Sequence, residues 1–157
     1  MENKVVIITG GAMGLGYAAA DVLASQKAKL VLVDYNADAL AEAEEKLKKT
    51  YEGLEVLSVT ADVSKEDQVK AYVDQTVEKF GRIDGFYNNA GIEGRQASMI
   101  DYDMDVFKKV IDINLMGVYY GDTIRMQSVE NIMFADQTIP VETLSIGGNY
   151  IHWGSTS

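Results

Sequence analysis

The 157-residue sequence predicts an α/β fold: a doubly wound parallel sheet with helices on both faces. Three observations predict it. Short, continuous runs of β-branched and aliphatic residues recur along the first part of the chain, as in strands buried on both faces. Each run is followed by a stretch whose apolar residues fall at helical spacing. A glycine-rich turn stands between the first run and the first helix. Four strand–helix alternations mean βαβ units, and right-handed crossovers then place helices on both faces of one sheet.

The elements follow in order. "KVVIIT" (residues 4–9) is the first buried strand, and after the glycines "YAAADVLASQKA" is a helix with Ala18, Val22 and Ala24 or Leu23 near one face. "KLVLVD" (29–34) is the second strand. Asn36 is placed to cap the next helix, "ADALAEAEEKLKKT", whose acids come early and lysines late, as the helix dipole favours. "LEVLSVTAD" (54–62) is the third strand. Ser64 and Asp67 have capping-box spacing before a helix striped by Val69, Tyr72, Val73, Val77 and Phe80. "GFYNNAG" holds a short fourth strand. "DMDVFKKVIDINLMGVYYG" reads as one long helix with Phe107, Val110, Ile111, Asn114, Leu115 and Val118 at helical spacing. "DTIRMQSVENIMFADQ" can continue it with a weak stripe, and "TIPVETLSIGG" reads as a turn and a fifth strand, Val141 to Leu144.

Composition narrows the function. Apolar residues make up 47% of the chain, enough for a core. Lys plus Arg number 14 against 24 Asp plus Glu, a net charge of −10, which disfavours nucleic acid and anionic membrane surfaces as partners. There is no cysteine and one histidine, His152, so neither a disulfide framework nor a Cys or His-cluster metal site is expected. No apolar run approaches a membrane span. The opening "MENKVVIITG" enters a strand at once, which leaves no room for a signal peptide, and a cytoplasmic protein is expected.

"TGGAMGLG" (residues 9–16) lies between the first strand and the first helix. Glycine serves there for a tight turn, for close backbone approach to a pyrophosphate and for helix-on-strand packing, and the helix N-terminus offers free N–H groups to the anion. The alternative is a plain tight turn. Asp34 ends the second strand, where an acidic residue accepts hydrogen bonds from an adenosine ribose and repels a 2′-phosphate; otherwise it is a solvated strand-end acid. No Lys or Arg lies among Gly11, Ala12 and Met13 or just after Asp34, so NAD is expected rather than NADP.

With Thr9-Gly10, Gly14, Gly16, Asp34, Asp62-Val63, Asn88-Asn89-Ala90-Gly91 and Asn114 in order over residues 4 to 120, the chain resembles the short-chain dehydrogenase/reductases. "VKAYVDQTVEKFGRIDGFYNNAGIEGRQ" looks most like bacterial reductases of cyclic ketones. The resemblance implies a Rossmann-like fold, an alcohol or ketone substrate and a homo-oligomer. It implies a cofactor site of Gly10, Met13, Gly14, Leu15, Gly16, Asp34, Tyr35, Asp62, Val63, Asn89, Ala90 and Gly91. Asp62 and Val63 would contact the adenine; the Asn-Ala-Gly backbone would face the cofactor ribose. Asn114 would bend its helix and free a carbonyl for a water in the proton relay; the alternative is a side chain bonded back to its own helix.

The resemblance also sets a limit. The family's chemistry needs a Tyr followed four residues later by a Lys that lowers its pKa. No such pair occurs here; Tyr102, Tyr119, Tyr120 and Tyr150 all lack the lysine. "LSIGG" resembles the segment carrying the catalytic serine, which makes Ser145 the candidate. The chain stops at Ser157, roughly where the tyrosine would come next. The expectation is a single truncated dinucleotide-binding domain over 1–157, family-like over 1–120, with a divergent tail over 121–157. Truncation, or a frameshift or fusion after Gly121, would each account for that tail. An incomplete sheet of about five strands would leave an open edge and uncovered helix faces, and therefore self-associate. The functional readings are an incomplete NAD-dependent oxidoreductase, a non-catalytic dinucleotide-binding fragment and an interaction remnant.

Overall fold

The computed structural model describes residues 1–98, 100–136, 141–146 and 149–154, with side chains described as far as residue 128. The elements are β1 (Val5–Thr9), α1 (Gly14–Ser25), β2 (Lys29–Asp34), α2 (Ala37–Thr50), β3 (Val56–Thr60), α3 (Glu66–Phe80), β4 (Gly85–Tyr87), α4 (Met104–Ile111), a π-turn (Asp112–Met116), α5 (Gly117–Asp136), β5 (Val141–Ile146) and β6 (Asn149–Gly154). They form one sheet of order β3-β2-β1-β4-β6-β5. The first four strands are parallel, with Val5 opposite Lys29, Val6 opposite Gly85 and Leu30 opposite Val56.

Strand alternation builds two cores. Val5, Ile7, Val31, Val33 and Phe86 face one way and pack with Val69, Tyr72 and Val73 of α3. Val6, Ile8, Leu30 and Leu32 face the other way and pack with Ala20 and Ala24 of α1 and Leu40 and Leu47 of α2. Strands that are apolar on both faces need a helix layer on each side, and the sequence supplies both. The amino end of the sheet is tied by Asp84, whose oxygens accept from Lys4 Nζ (3.2 Å), Val5 N (2.9 Å), Arg82 Nε (2.8 Å) and Arg82 Nη2.

Several expectations change. In α1 the buried face is Gly16, Ala20 and Ala24, whereas Ala18 and Val22 are exposed. Small residues at i, i+4 and i+8 let this helix lie close on the sheet, so bulk was a poor guide to its inner face. The Ser64–Asp67 capping box does not form. The cap position is Lys65, one residue later, and Ser64 donates instead to Asp62 Oδ1 (2.7 Å). Asn36 does cap α2, its Oδ1 accepting from Ala39 N (3.1 Å).

The long helix is interrupted. Gly117 N donates to Asp112 O, five residues back, so the chain makes a π-turn between α4 and α5. The predicted stripe does not face inward as a whole: Phe107, Ile111 and Leu115 are exposed, and no residue of α4 is buried. The buried row lies on α5 at Gly117, Gly121 and Arg125. Arg125 is 3% exposed, with no hydrogen-bond partner for Nε and Nη2 among the described residues; burial lowers its pKa, opposed by Asp122.

The fifth strand begins at Val141 as expected and runs on to Ile146, and a sixth strand follows that the sequence reading missed. β5 and β6 are antiparallel, and β6 is antiparallel to β4. The signal was present: two glycines separate Ile146 from Asn149, the composition of a tight hairpin connection. No helix among the described residues is long and apolar enough to cross a membrane.

Candidate cofactor-binding site

The carboxyl ends of the parallel strands β1, β2, β3 and β4 lie along one edge of the sheet, and the chain leaving each strand carries expected site residues. Gly10 (φ 64°) and Gly14 (φ 57°) both take the left-handed conformation that L side chains disfavour. A Cβ at Gly16 would stand 2.0 Å from Gly10 O, so α1 can begin this close to the end of β1 only with glycine. Met13 precedes α1 without any side-chain cap, and the first turn carries no acid. Its amides therefore have no side-chain acceptor and place a positive dipole end at that edge. Met13, Leu15 and Tyr35 are exposed around this turn.

Asp34 is 7% exposed. Its Oδ2 accepts from Ala12 N in the glycine turn (3.1 Å) and its Oδ1 from Asn36 N (3.1 Å). Gly11 N also donates to Val33 O (3.1 Å), so the turn is fastened to the end of β2 twice. The carboxylate stands at the carboxyl end of β2 and makes no ion pair among the described residues. Next along the sheet, Ala61 N donates to Asp34 O (2.9 Å), which brings Asp62 and Val63 to the same edge. Asp62 Oδ1 accepts from Ser64 N (2.9 Å) and Ser64 Oγ, fixing that turn.

On the other side, Asn88 and Asn89 close β4 against β1. Thr9 Oγ1 accepts from Asn89 N (3.0 Å) and Ala90 N (3.1 Å) and donates to Asn88 Oδ1 (3.4 Å). Asn89 Nδ2 donates to Thr9 O (3.0 Å), and Asn88 Nδ2 to Val118 O of α5 (3.0 Å). Thr9 and Asn88 were not among the expected site residues. Their signal is a hydroxyl and an amide at the ends of two adjacent buried strands, where strand-end backbone groups need partners.

Asn114 sits at the middle of the π-turn. Its Oδ1 accepts from Ile92 N (2.9 Å) and its Nδ2 donates to Ile92 O (2.9 Å), so it does not bond back to its own helix. The π-turn interrupts the regular helical hydrogen bonding at this asparagine. Gly91 lies against it; a Cβ there would be 3.4 Å from Asn114 Oδ1. The expected cofactor-site residues thus lie in the segments that leave the carboxyl ends of β1, β2, β3 and β4, with Asn114 against Gly91. Ser145 is different. It lies in β5, opposite Tyr150, and β6 separates β5 from β4. Ser145 is therefore level with the end of β4 but two strands away, about 10 Å at ordinary strand spacing. Its side chain is outside the described residues.

A family model for short chain dehydrogenases matches residues 4–135. The chain is 46% identical over 147 residues to levodione reductase of Leifsonia aquatica, covering 93% of this chain and 54% of that protein. The chain belongs to the short chain dehydrogenase family. The crystal structure of levodione reductase superposes with a TM-score of 0.77 at 47% identity, over 85% of this chain and 50% of the other. The NAD+-bound xylitol dehydrogenase structure gives 0.75 at 34% identity, over 85% and 49%. The chain spans about half the length of the curated relatives it matches. Shared family membership fits the parallel four-strand order and the glycine turn described above.

Proposed function

We propose that this chain is the dinucleotide-binding part of an NAD-dependent short-chain oxidoreductase, acting between the nicotinamide and a small alcohol or ketone. The observation that carries the reading is Asp34. It is a buried carboxylate at the carboxyl end of β2, oriented by two backbone amides and with no cation paired to it among the described residues. Its remaining lone pairs suit the hydroxyls of an adenosine ribose, and its charge opposes a 2′-phosphate. The residues present fit the group. The amides of Gly14, Leu15 and Gly16 would hold the pyrophosphate, with Met13 and Tyr35 flanking it. Asp62 and Val63 would wall the adenine. Asn89, Ala90 and Gly91 would back the second ribose. The bound nicotinamide would supply or accept the hydride. Asn114 keeps the segment after β4 at a fixed distance from the π-turn and leaves a carbonyl there to hold a water.

A specific observation favours a narrower reading of this chain. It contains no Tyr-x-x-x-Lys, so no phenol is placed to pass a proton to a carbonyl. Binding without steady-state turnover is therefore the expected behaviour, as a non-catalytic dinucleotide-binding fragment; an interaction remnant would bind nothing. A homo-oligomer is expected as well, because Met104, Phe107, Leu115 and Tyr119 leave an apolar row exposed along α4 and α5. The place proposed for it is the cytoplasm. Titration calorimetry tests the reading. NADH should bind at submillimolar to millimolar concentration, with NADPH at least about tenfold weaker, a difference of about 1.4 kcal/mol. No heat with millimolar NADH would overturn it.

A further inference from the structure

Gly117 is the first residue of α5 and is buried. A Cβ there would stand 2.9 Å from Val63 Cγ2, 3.1 Å from Val63 O and 3.2 Å from Val63 Cβ. These are the side chain and backbone of the turn that follows β3. Valine is stiff at χ1, so rotation of Val63 gives little relief. The turn itself would have to retreat. It has little freedom to do so in place, because Asp62 is locked through Ser64 and through Gln68 Oε1, which accepts from Asp62 N (2.8 Å).

The same helical start is anchored at two further points. Asn114 clamps Ile92, and Asn88 Nδ2 holds Val118 O. α5 is thus pinned on the β4 side by hydrogen bonds, while on the β3 side only close van der Waals contact sets its distance. Any added volume at residue 117 therefore presses on the Asp62–Val63 turn, which its hydrogen bonds oblige to shift as a unit.

We infer that Gly117 is a positioning residue for the adenine end of the dinucleotide, letting the helix after the π-turn rest directly on the Asp62–Val63 turn. This rests on the cofactor reading above. It adds that the adenine wall is set by a residue of α5 rather than by the glycine turn. Gly121, one turn further on, provides the contrast. A Cβ there would meet Phe86 Cζ at 2.9 Å and Asn88 Nδ2 at 3.0 Å, not the β3 turn.

The experiment uses the full chain, with AMP and NADH as probes in calorimetry and circular dichroism to confirm folding. Gly117→Ala should weaken AMP and NADH binding together by about tenfold. Gly121→Ala should leave AMP affinity within about twofold, although both substitutions crowd a packed helix. Val63→Ala removes Cγ2, the nearest of the three atoms, while Val63 O and Cβ remain; in that background Gly117→Ala should cost less than about threefold. If Gly117→Ala does not fold, the double variant carries the test: folded, with an affinity within about threefold of Val63→Ala alone, it supports the inference, and unfolded it overturns it. Equal losses in both backgrounds, or an unchanged AMP affinity in Gly117→Ala, overturn it too. Wild-type protein that binds neither AMP nor NADH sinks the cofactor reading itself, an outcome distinct from the others.

Discussion

Two carboxylates mark the two ends of the same sheet, and they are treated in opposite ways. Asp84, at the amino end, is closed: Lys4, Arg82 and Val5 N take its oxygens. Asp34, at the carboxyl end, is held among the described residues only by the amides of Ala12 and Asn36. The first is saturated by charge and does structural work, joining β1 to the start of β4. The second is oriented by two amides and makes no ion pair among the described residues, which leaves it acceptor capacity. In a parallel sheet the loops that leave the carboxyl ends carry the binding groups, so on the proposed reading Asp84 serves stability and Asp34 recognition.

The comparison can be broken at either end. The largest effect should come from Gly16→Ala. Its methyl would overlap Gly10 O, which cannot rotate away, so a loss of about 3 kcal/mol in urea-melt stability is expected, together with loss of NADH binding. Stability unchanged by this variant would mean that α1 does not need to start so close to β1.

Asp84→Asn should come next, costing about 2 kcal/mol because Arg82 and Lys4 lose their common anion. NADH affinity should not change. The pH dependence sharpens this test. Burial pushes the Asp84 carboxyl up, but Arg82, the Val5 amide and Lys4 together hold it below the ordinary range. Its stabilisation is therefore complete above the unfolded-state value of about 3.9 and is lost as pH falls through the lower folded value. Wild type should lose more stability on acidification through that window than Asp84→Asn does; parallel curves would show that the network contributes no net electrostatics.

The smallest stability effect is expected at Asp34→Asn, about 1 kcal/mol, since one amide oxygen still accepts and no cation is orphaned. The signature there is binding: NADH affinity should fall even though the melt barely moves. A large melt shift with intact binding would reverse the roles given to the two acids.

Much of this was legible in residues 1–90, and the reason is local. Strands buried on both faces show as continuous apolar runs, the α2 cap and charge gradient follow from Asn36 and the flanking acids and lysines, and the glycine turn can serve few purposes between a strand and a helix. Beyond that point the signals depend on partners. The interruption at Asn114 was expected only from resemblance, because a π-turn leaves no mark in apolar spacing. The inner row Gly117, Gly121 and Arg125 does not follow from apolar spacing, which passes over glycines and a buried arginine; on α1 the same spacing points to Ala18 and Val22 rather than Ala20, although Ala24 is buried as expected. Ser145 was assigned from a short motif, and its strand came to rest one place further out, because β6 pairs with β4 first.

By itself the sequence determined the strand–helix alternation, the glycine turn and the acid that ends β2, since each is a property of a few neighbouring residues and the backbone they bias. Only the tertiary structure decided which carboxylate is neutralised and which is left open, where Asn114 sends its amide, and how near α5 stands to the β3 turn. Those depend on groups up to 81 positions apart in the chain meeting within hydrogen-bond or van der Waals distance, and no local pattern encodes such a distance.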